Sequence, residues 1–174
     1  MYATVPPGEL FFTFAELWQE LGIYRQLLIW DKDSMVLGHS DYHYKHEPIL
    51  YGWKPGAAHY FTKDRTKTSV LGFPRPKRSA EHPTMKPIPL WAELVSNSSQ
   101  KGDWVLDPFL GSGTTLIACE QLNRTCYGIE ISPAYCQVII ERYRKYCDDN
   151  QKEIEIKVNG EKVEGEALER AAQA

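Results

Sequence analysis

Asp107-Pro108-Phe109-Leu110-Gly111-Ser112-Gly113-Thr114-Thr115 is the stretch that decides the fold of this chain. Trp104 to Leu106, just before it, reads as a short apolar strand; a helix is expected from about Thr114 to Leu122 and a strand from Cys126 to Glu130. Together these make a complete βαβ unit in under thirty residues. Gly111 and Gly113 fall where strand turns into helix, a place where a ligand can approach bare backbone and meet the unpaired N–H groups of the helix start. A nucleotide-like ligand is expected there. Seventeen residues after Gly113, Glu130 closes the second strand, where an acid accepts hydrogen bonds from both hydroxyls of a ribose.

Asp107 narrows the ligand. A dinucleotide brings a pyrophosphate to such a turn, and a carboxylate beside two phosphates is repelled. S-adenosylmethionine has no phosphate and carries an ammonium and a sulfonium, so an acid at this point favours it. The plainer alternative, an Asp that caps the turn of a βαβ unit without any ligand, stays open on the residues alone.

The same nine residues are similar to the cofactor motif of the β-class DNA amino-methyltransferases. His82-Pro83-Thr84-Met85-Lys86-Pro87 resembles that family's other cofactor segment, which precedes the Gly-rich motif in this class as it does here. The resemblance implies an α/β fold: an S-adenosylmethionine-dependent methyltransferase sheet of Rossmann-like kind, circularly permuted, with helices on both faces. It implies that Asp107, Phe109, Gly111 and Thr114 surround the methionine part of the cofactor, with Pro108, Ser112, Gly113 and Thr115 completing the turn. Glu130 would hold the ribose, Ile131 and Pro133 would flank the adenine, and His82, Thr84 and Lys86 would contribute from the upstream segment. Asp41-Tyr42-His43-Tyr44-Lys45-His46-Glu47-Pro48 looks like a stretch common in bacterial and phage adenine methyltransferases. In that reading its Tyr and His residues lie near a flipped base, where aromatic faces stack on it; a polar loop before a buried strand is the bland alternative.

Enzymes of this family also carry Asp, Ser or Asn followed by Pro-Pro-Tyr or Pro-Pro-Phe, which grips the target amine. This chain has no such motif, and Val5-Pro6-Pro7-Gly8, its only double proline, lacks both the polar residue before and the aromatic after. No catalytic residue is therefore assigned. In the β-class order the motif precedes what is here Met1, and the first residues look like the family's fifth strand, so the sheet is expected to be incomplete and split in its middle. Unpaired strand edges are costly unless covered. A homodimer, a separate complementing chain or an upstream segment is expected to fill the gap.

The rest of the chain fits one α/β domain: 174 residues, 43% hydrophobic. No apolar run approaches the roughly 18 residues of a membrane span and no signal peptide is visible, so no membrane partner and a cytoplasmic location are expected. Cys119, Cys126, Cys136 and Cys147 form no CxxC pair and read as buried thiols; His39, His43 and His46 are weakly metal-like, but Gly38, Ser40 and Pro48 argue against a continuous helix, and no metal is expected.

Residues 1–53 read as strands and a helix of the catalytic sheet: a strand at Met1–Val5, a helix with Leu10, Phe11, Phe14, Leu17, Trp18 and Leu21 on one face, and strands at Tyr24–Trp30 and Pro48–Trp53. Residues 54–84 read as an extended loop. Within it, from Lys63 to Arg78, the basic residues Lys63, Arg65, Lys67, Arg75, Lys77 and Arg78 face one acid, Asp64, a local balance of +5 in a chain of net charge -3. This is where the family places its target-recognition region, so these six are expected to neutralise phosphates of double-stranded DNA; a solvated loop is the alternative. Residues 85–150 hold the cofactor-binding part, with a helix at Pro87–Ser98 and another N-capped by Ser132, with Pro133 at its first position and Tyr135, Val138, Ile139 and Tyr143 on its apolar face. Residues 151–174 read as a hairpin at Asn159-Gly160 and a fraying tail.

Three functions follow. The favoured one is methyl transfer to adenine N6 in DNA, as in modification of bacterial or phage DNA, with cytosine N4 sharing the layout. The second is an inactive remnant that binds cofactor or DNA, or completes a partner. The third, a dinucleotide oxidoreductase, is disfavoured by Asp107 and by the lack of a third glycine.

Overall fold

The computed structural model describes residues 1–39, 41–60, 62–76 and 85–163. Two compact units emerge, Met1–Lys77 with Ser96–Ser98, and Arg78–Val95 with Ser99–Ala174. The architecture is α/β with partial sheets: among the described residues the strands form one sheet of four and two of two.

In the first unit the sheet order is β1-β3-β2-β4. β1 (Tyr2–Thr4) leads through Pro6-Pro7 and Gly8, whose φ of 104° only glycine adopts readily, into α1 (Glu9–Glu20). β2 (Tyr24–Val36) and β3 (Tyr44–Gly52) form a long antiparallel hairpin, and β1 adds antiparallel to β3. Alternation sets the core: Val5, Leu50 and Trp18 are buried together, with Ala3, Phe11, Ile23, Tyr24 and Leu27 packed around them. Gly52 permits the hairpin to close on Ile23, since a Cβ there would sit 1.8 Å from the Ile23 carbonyl oxygen.

Three expectations are corrected here. Both hairpin strands run further than their apolar cores. The extension is held by cross-strand ion pairs, Lys32–Glu47 at 2.7 Å and Lys45–Asp31 at 3.2 Å, which an apolar-run reading does not detect. The segment 54–84 is not all loop: β4 (Val70–Gly72) pairs parallel to β2 around Trp30, whose indole N–H donates to the Phe73 carbonyl at 2.7 Å. Finally, the apolar stripe of α1 is only partly used, because Trp18 is buried while Leu10, Phe14, Leu17 and Leu21 stay exposed.

The second unit has α2 (Ile88–Ser98, its last three residues grouping with the first unit), β5 (Trp104–Asp107), α3 (Thr114–Leu122), β6 (Thr125–Gly128) and α4 (Pro133–Asp149). β5 and β6 pair in parallel in register Trp104↔Thr125 to Asp107↔Gly128. Leu90, Leu94, Ile117, Ala118, Cys119, Ile139, Ile140, Tyr143 and Cys147 are buried; Cys126 and Cys136 are half-buried. Arg124 stitches the loop before β6 to the end of α2 by donating to the Ser99 carbonyl at 2.9 Å. β6 stops at Gly128, two residues short of the expected Glu130, and a Cβ at Gly128 would lie 2.3 Å from Leu110 Cδ2. The Asn159-Gly160 hairpin forms as read, with β7 (Lys157–Val158) and β8 (Glu161–Lys162) joined through positive φ at both residues. The fraying tail lies outside the described residues. No helix among the described residues is long and apolar enough to cross a membrane.

Candidate functional site

The parallel pair β5–β6 brings Asp107 and Glu130 to one end of the second unit, on either side of the glycine turn. Each carboxylate accepts hydrogen bonds on both oxygens. Asp107 Oδ1 accepts the Phe109 amide at 3.0 Å and Oδ2 accepts the Thr115 hydroxyl at 2.5 Å. Glu130 Oε2 accepts the Gly111 amide at 2.8 Å and Oε1 the Ser132 amide at 2.9 Å. An ionised carboxylate oxygen offers two acceptor positions, so these bonds orient the groups without exhausting them.

The turn itself is closed by the Gly113 amide on the Leu110 carbonyl at 3.0 Å. Gly111 and Gly113 both have positive φ, 57° and 80°, the conformation expected of them. Gly113 is also needed for space, since a Cβ would lie 3.2 Å from Ile139 Cγ2 on α4. Ser112, Thr114 and Thr115 are buried polar residues at the start of α3, whose first-turn amides lack intrahelical acceptors. An acceptor-bearing ligand is suited to such a helix start.

Of the upstream segment, Lys86 is brought to the turn: the Thr114 hydroxyl donates to its carbonyl at 3.3 Å. His82 and Thr84 lie outside the described residues. Pro133 opens α4 as expected, but the Ser132 side chain makes no cap; its backbone amide, turned onto Glu130, is what matters. Phe109 and Ile131 flank the turn, 88% and 97% exposed, an expensive arrangement for two large apolar side chains unless something covers them. Pro108 lies between Asp107 and Phe109 in the same turn.

Sequence reading missed Arg142. From α4 it donates to the Ser112 carbonyl, reaching back thirty residues to the turn. An Arg ten residues into a helix of ordinary amphipathic pattern gives no signal of this bond. Behind the turn, the Cys119 and Cys126 thiols share a hydrogen bond that lowers the pKa of the first and raises that of the second.

In the first unit Lys63, Arg65 and Lys67 are exposed, with Arg75 half-buried and its amide donating to Asp33 at 2.8 Å. Lys77 and Arg78 lie outside the described residues. Hydrogen bonds from Thr66 hold the Asp64 carboxyl below its ordinary value, and Lys67 lies 3.7 Å from it. At the hairpin end Tyr42 is exposed, Tyr44 stands edge-on to His46 at 5.8 Å, and the Gly38 amide donates to His43 Nδ1 at 3.4 Å.

The chain is similar to M.BglI, a type II methyltransferase of Bacillus subtilis, with 32% identity over 176 residues, covering 87% of this chain and 49% of that protein. With the type II methyltransferase M.HpaI of Haemophilus parainfluenzae it shares 39% identity over 90 residues, 52% of this chain and 24% of that protein. It thus spans a quarter to a half of the length of these relatives. The solved M1.HpyAVI–SAM complex superposes with a TM-score of 0.69 at 28% identity, covering 82% of this chain and 72% of that one. A family model described as DNA methylase matches residues 8–141. The chain belongs to this N6/N4 DNA methylase family, the DNA amino-methyltransferases.

Proposed function

We propose that this chain holds the cofactor half of a DNA methylation site: it binds S-adenosylmethionine on the Asp107–Thr115 turn and serves methyl transfer to adenine N6 in double-stranded DNA. The carrying observation is that Asp107 and Glu130, both pre-oriented by backbone amides, flank a buried helix start on a turn that has an acid and no base. That polarity suits a cationic, phosphate-free cofactor and repels a pyrophosphate. M1.HpyAVI, a relative in fold and sequence, is a SAM complex, which supports the same assignment.

Glu130 has one acceptor position left on each oxygen for the ribose diol. Ile131 and Pro133 would flank the adenine, Phe109 and Thr114 would lie beside the methionine part, and Lys86 would contribute from the upstream segment. Bound there, the cofactor would supply an electrophilic methyl group on sulfur for the amine of the target base. The contribution of this chain is positioning. Exposed Lys63, Arg65 and Lys67, with Arg75, Lys77 and Arg78, would neutralise DNA phosphates, and Tyr42, His43, Tyr44 and His46 would stand near the target base.

A second reading, a remnant that binds cofactor or DNA and needs a partner, is favoured by a specific observation. The chain lacks the amine-gripping motif, and among the described residues β5 pairs only with β6 and β1 only with β3. A second copy, a complementing polypeptide or an upstream segment would add the missing strand. Cytosine N4 remains the alternative target.

Calorimetric titration with S-adenosylmethionine and with a nicotinamide dinucleotide tests the cofactor: saturable binding of the first alone is expected, and binding of the second alone would overturn the reading. Labelled methyl transfer to unmethylated DNA, followed by mass spectrometry of the nucleosides, separates an active enzyme from a remnant and N6-methyladenine from N4-methylcytosine.

A further inference from the structure

We infer that Arg142 is a positioning residue for the cofactor turn, acting through one peptide plane. The inference deepens the cofactor reading above and rests on it for the affinity measurement alone.

The plane in question joins Ser112 to Gly113. In a trans peptide the carbonyl and the N–H point to opposite sides. Here the Ser112 carbonyl accepts from the Arg142 guanidinium, while the Gly113 N–H donates to the Leu110 carbonyl at 3.0 Å. The plane is therefore held from both sides, by α4 on one and by the turn on the other. Gly113 makes this hold necessary. Without a Cβ, and already at φ 80° and ψ 22°, it tolerates rotation of the preceding peptide at little cost, so the residue that makes the turn possible does not select its orientation.

Ile139 and Arg142, three apart on α4, reach adjacent residues of the turn, Gly113 and Ser112. Ile139 packs against the space where a Gly113 side chain would be, and Arg142 fixes the carbonyl next to it. Ile139 alone sets distance and is indifferent to which way the peptide faces. Only the charged donor chooses. If the plane turned over, the Gly113 N–H would swing toward α4, the bond to Leu110 that closes the turn would break, and the first amides of α3 would move with it. A guanidinium on a carbonyl is a charge-assisted bond, stronger than the neutral bond it protects.

The test compares Arg142→Ala and Arg142→Lys with the unaltered chain by backbone amide exchange and by titration with S-adenosylmethionine. In Arg142→Ala, exchange at Gly113 is expected to rise about tenfold or more while that of Ile139, Ile140 and Tyr143 on α4 stays near its original rate, and cofactor affinity falls about tenfold. Arg142→Lys, which keeps a cationic donor, is expected to recover most of both. Unchanged exchange at Gly113, or exchange that rises evenly along α4 without recovery by lysine, overturns the inference and assigns Arg142 a merely structural role. If the unaltered chain fails to bind S-adenosylmethionine, the cofactor reading falls, while the exchange measurement still decides the part played by Arg142.

Discussion

The Glu130 carboxylate accepts the amide of Gly111 at 2.8 Å, joining two residues nineteen apart in sequence across the mouth of the turn. Its other oxygen takes the Ser132 amide at 2.9 Å, so a side chain expected to serve the ligand also fixes the backbone on both sides of itself.

Removing that side chain should therefore cost more than one ligand interaction. Glu130→Ala is expected to weaken S-adenosylmethionine binding well beyond tenfold, and Glu130→Gln nearly as much, because an amide nitrogen would face a backbone donor. Calorimetry reads the difference. Binding within twofold of the original in both variants would remove Glu130 from the site.

Ser132 separates a side-chain role from a backbone one. Its φ of -85° lies near the range of proline and its hydroxyl makes no cap bond. Ser132→Ala should bind cofactor normally, whereas Ser132→Pro, which deletes the amide donor to Glu130, should bind several-fold more weakly. Equal affinities for the two would show that orientation of Glu130 by this amide is immaterial.

Gly113→Ala combines strain and crowding, at φ 80° with Ile139 Cγ2 3.2 Å from the new atom. A loss of about 1–3 kcal/mol in denaturant unfolding is expected. Ile139→Ala in the same chain should relieve the crowding and leave the backbone strain, so rescue should be incomplete.

Alkaline pH should weaken the second unit. Burial first, and then Glu120, pushes the Tyr143 hydroxyl above its ordinary value of 10.0, and a hydrogen bond from Lys152 to Glu120 raises the lysine above 10.5. Both groups hold their protons more tightly when folded, so their contribution is complete below pH 10 and is lost as pH rises through the folded values. Denaturant midpoints should fall between about pH 9 and about pH 11, and less steeply in Tyr143→Phe.

The basic segment is testable by salt. Replacing Lys63, Arg65 and Lys67 with Ala should weaken DNA binding at low salt and flatten the plot of log affinity against log salt by up to about 2.7, near 0.9 for each phosphate no longer neutralised. An unchanged slope would leave the segment a solvated loop.

What the sequence determined by itself was local. The turn between Asp107 and Thr115, the strands and helices around it, and the Asn159-Gly160 hairpin follow from glycine conformation, capping and apolar period, which act within a few residues. The family was legible for the same reason, since its motifs are contiguous. Tertiary structure decided the rest. The extension of β2 and β3 depends on Asp31, Lys32, Lys45 and Glu47 meeting across strands, and β4 exists because β2 offers an edge to pair with. The stripe of α1 looked fully apolar, yet which of its residues are covered depends on the sheet beneath. Asp107 and Glu130 were read as ligand groups, but that both are first anchored by amides of the turn, and that Arg142 grips the same turn from α4, could be seen only once the chain had brought distant donors and acceptors within hydrogen-bond reach.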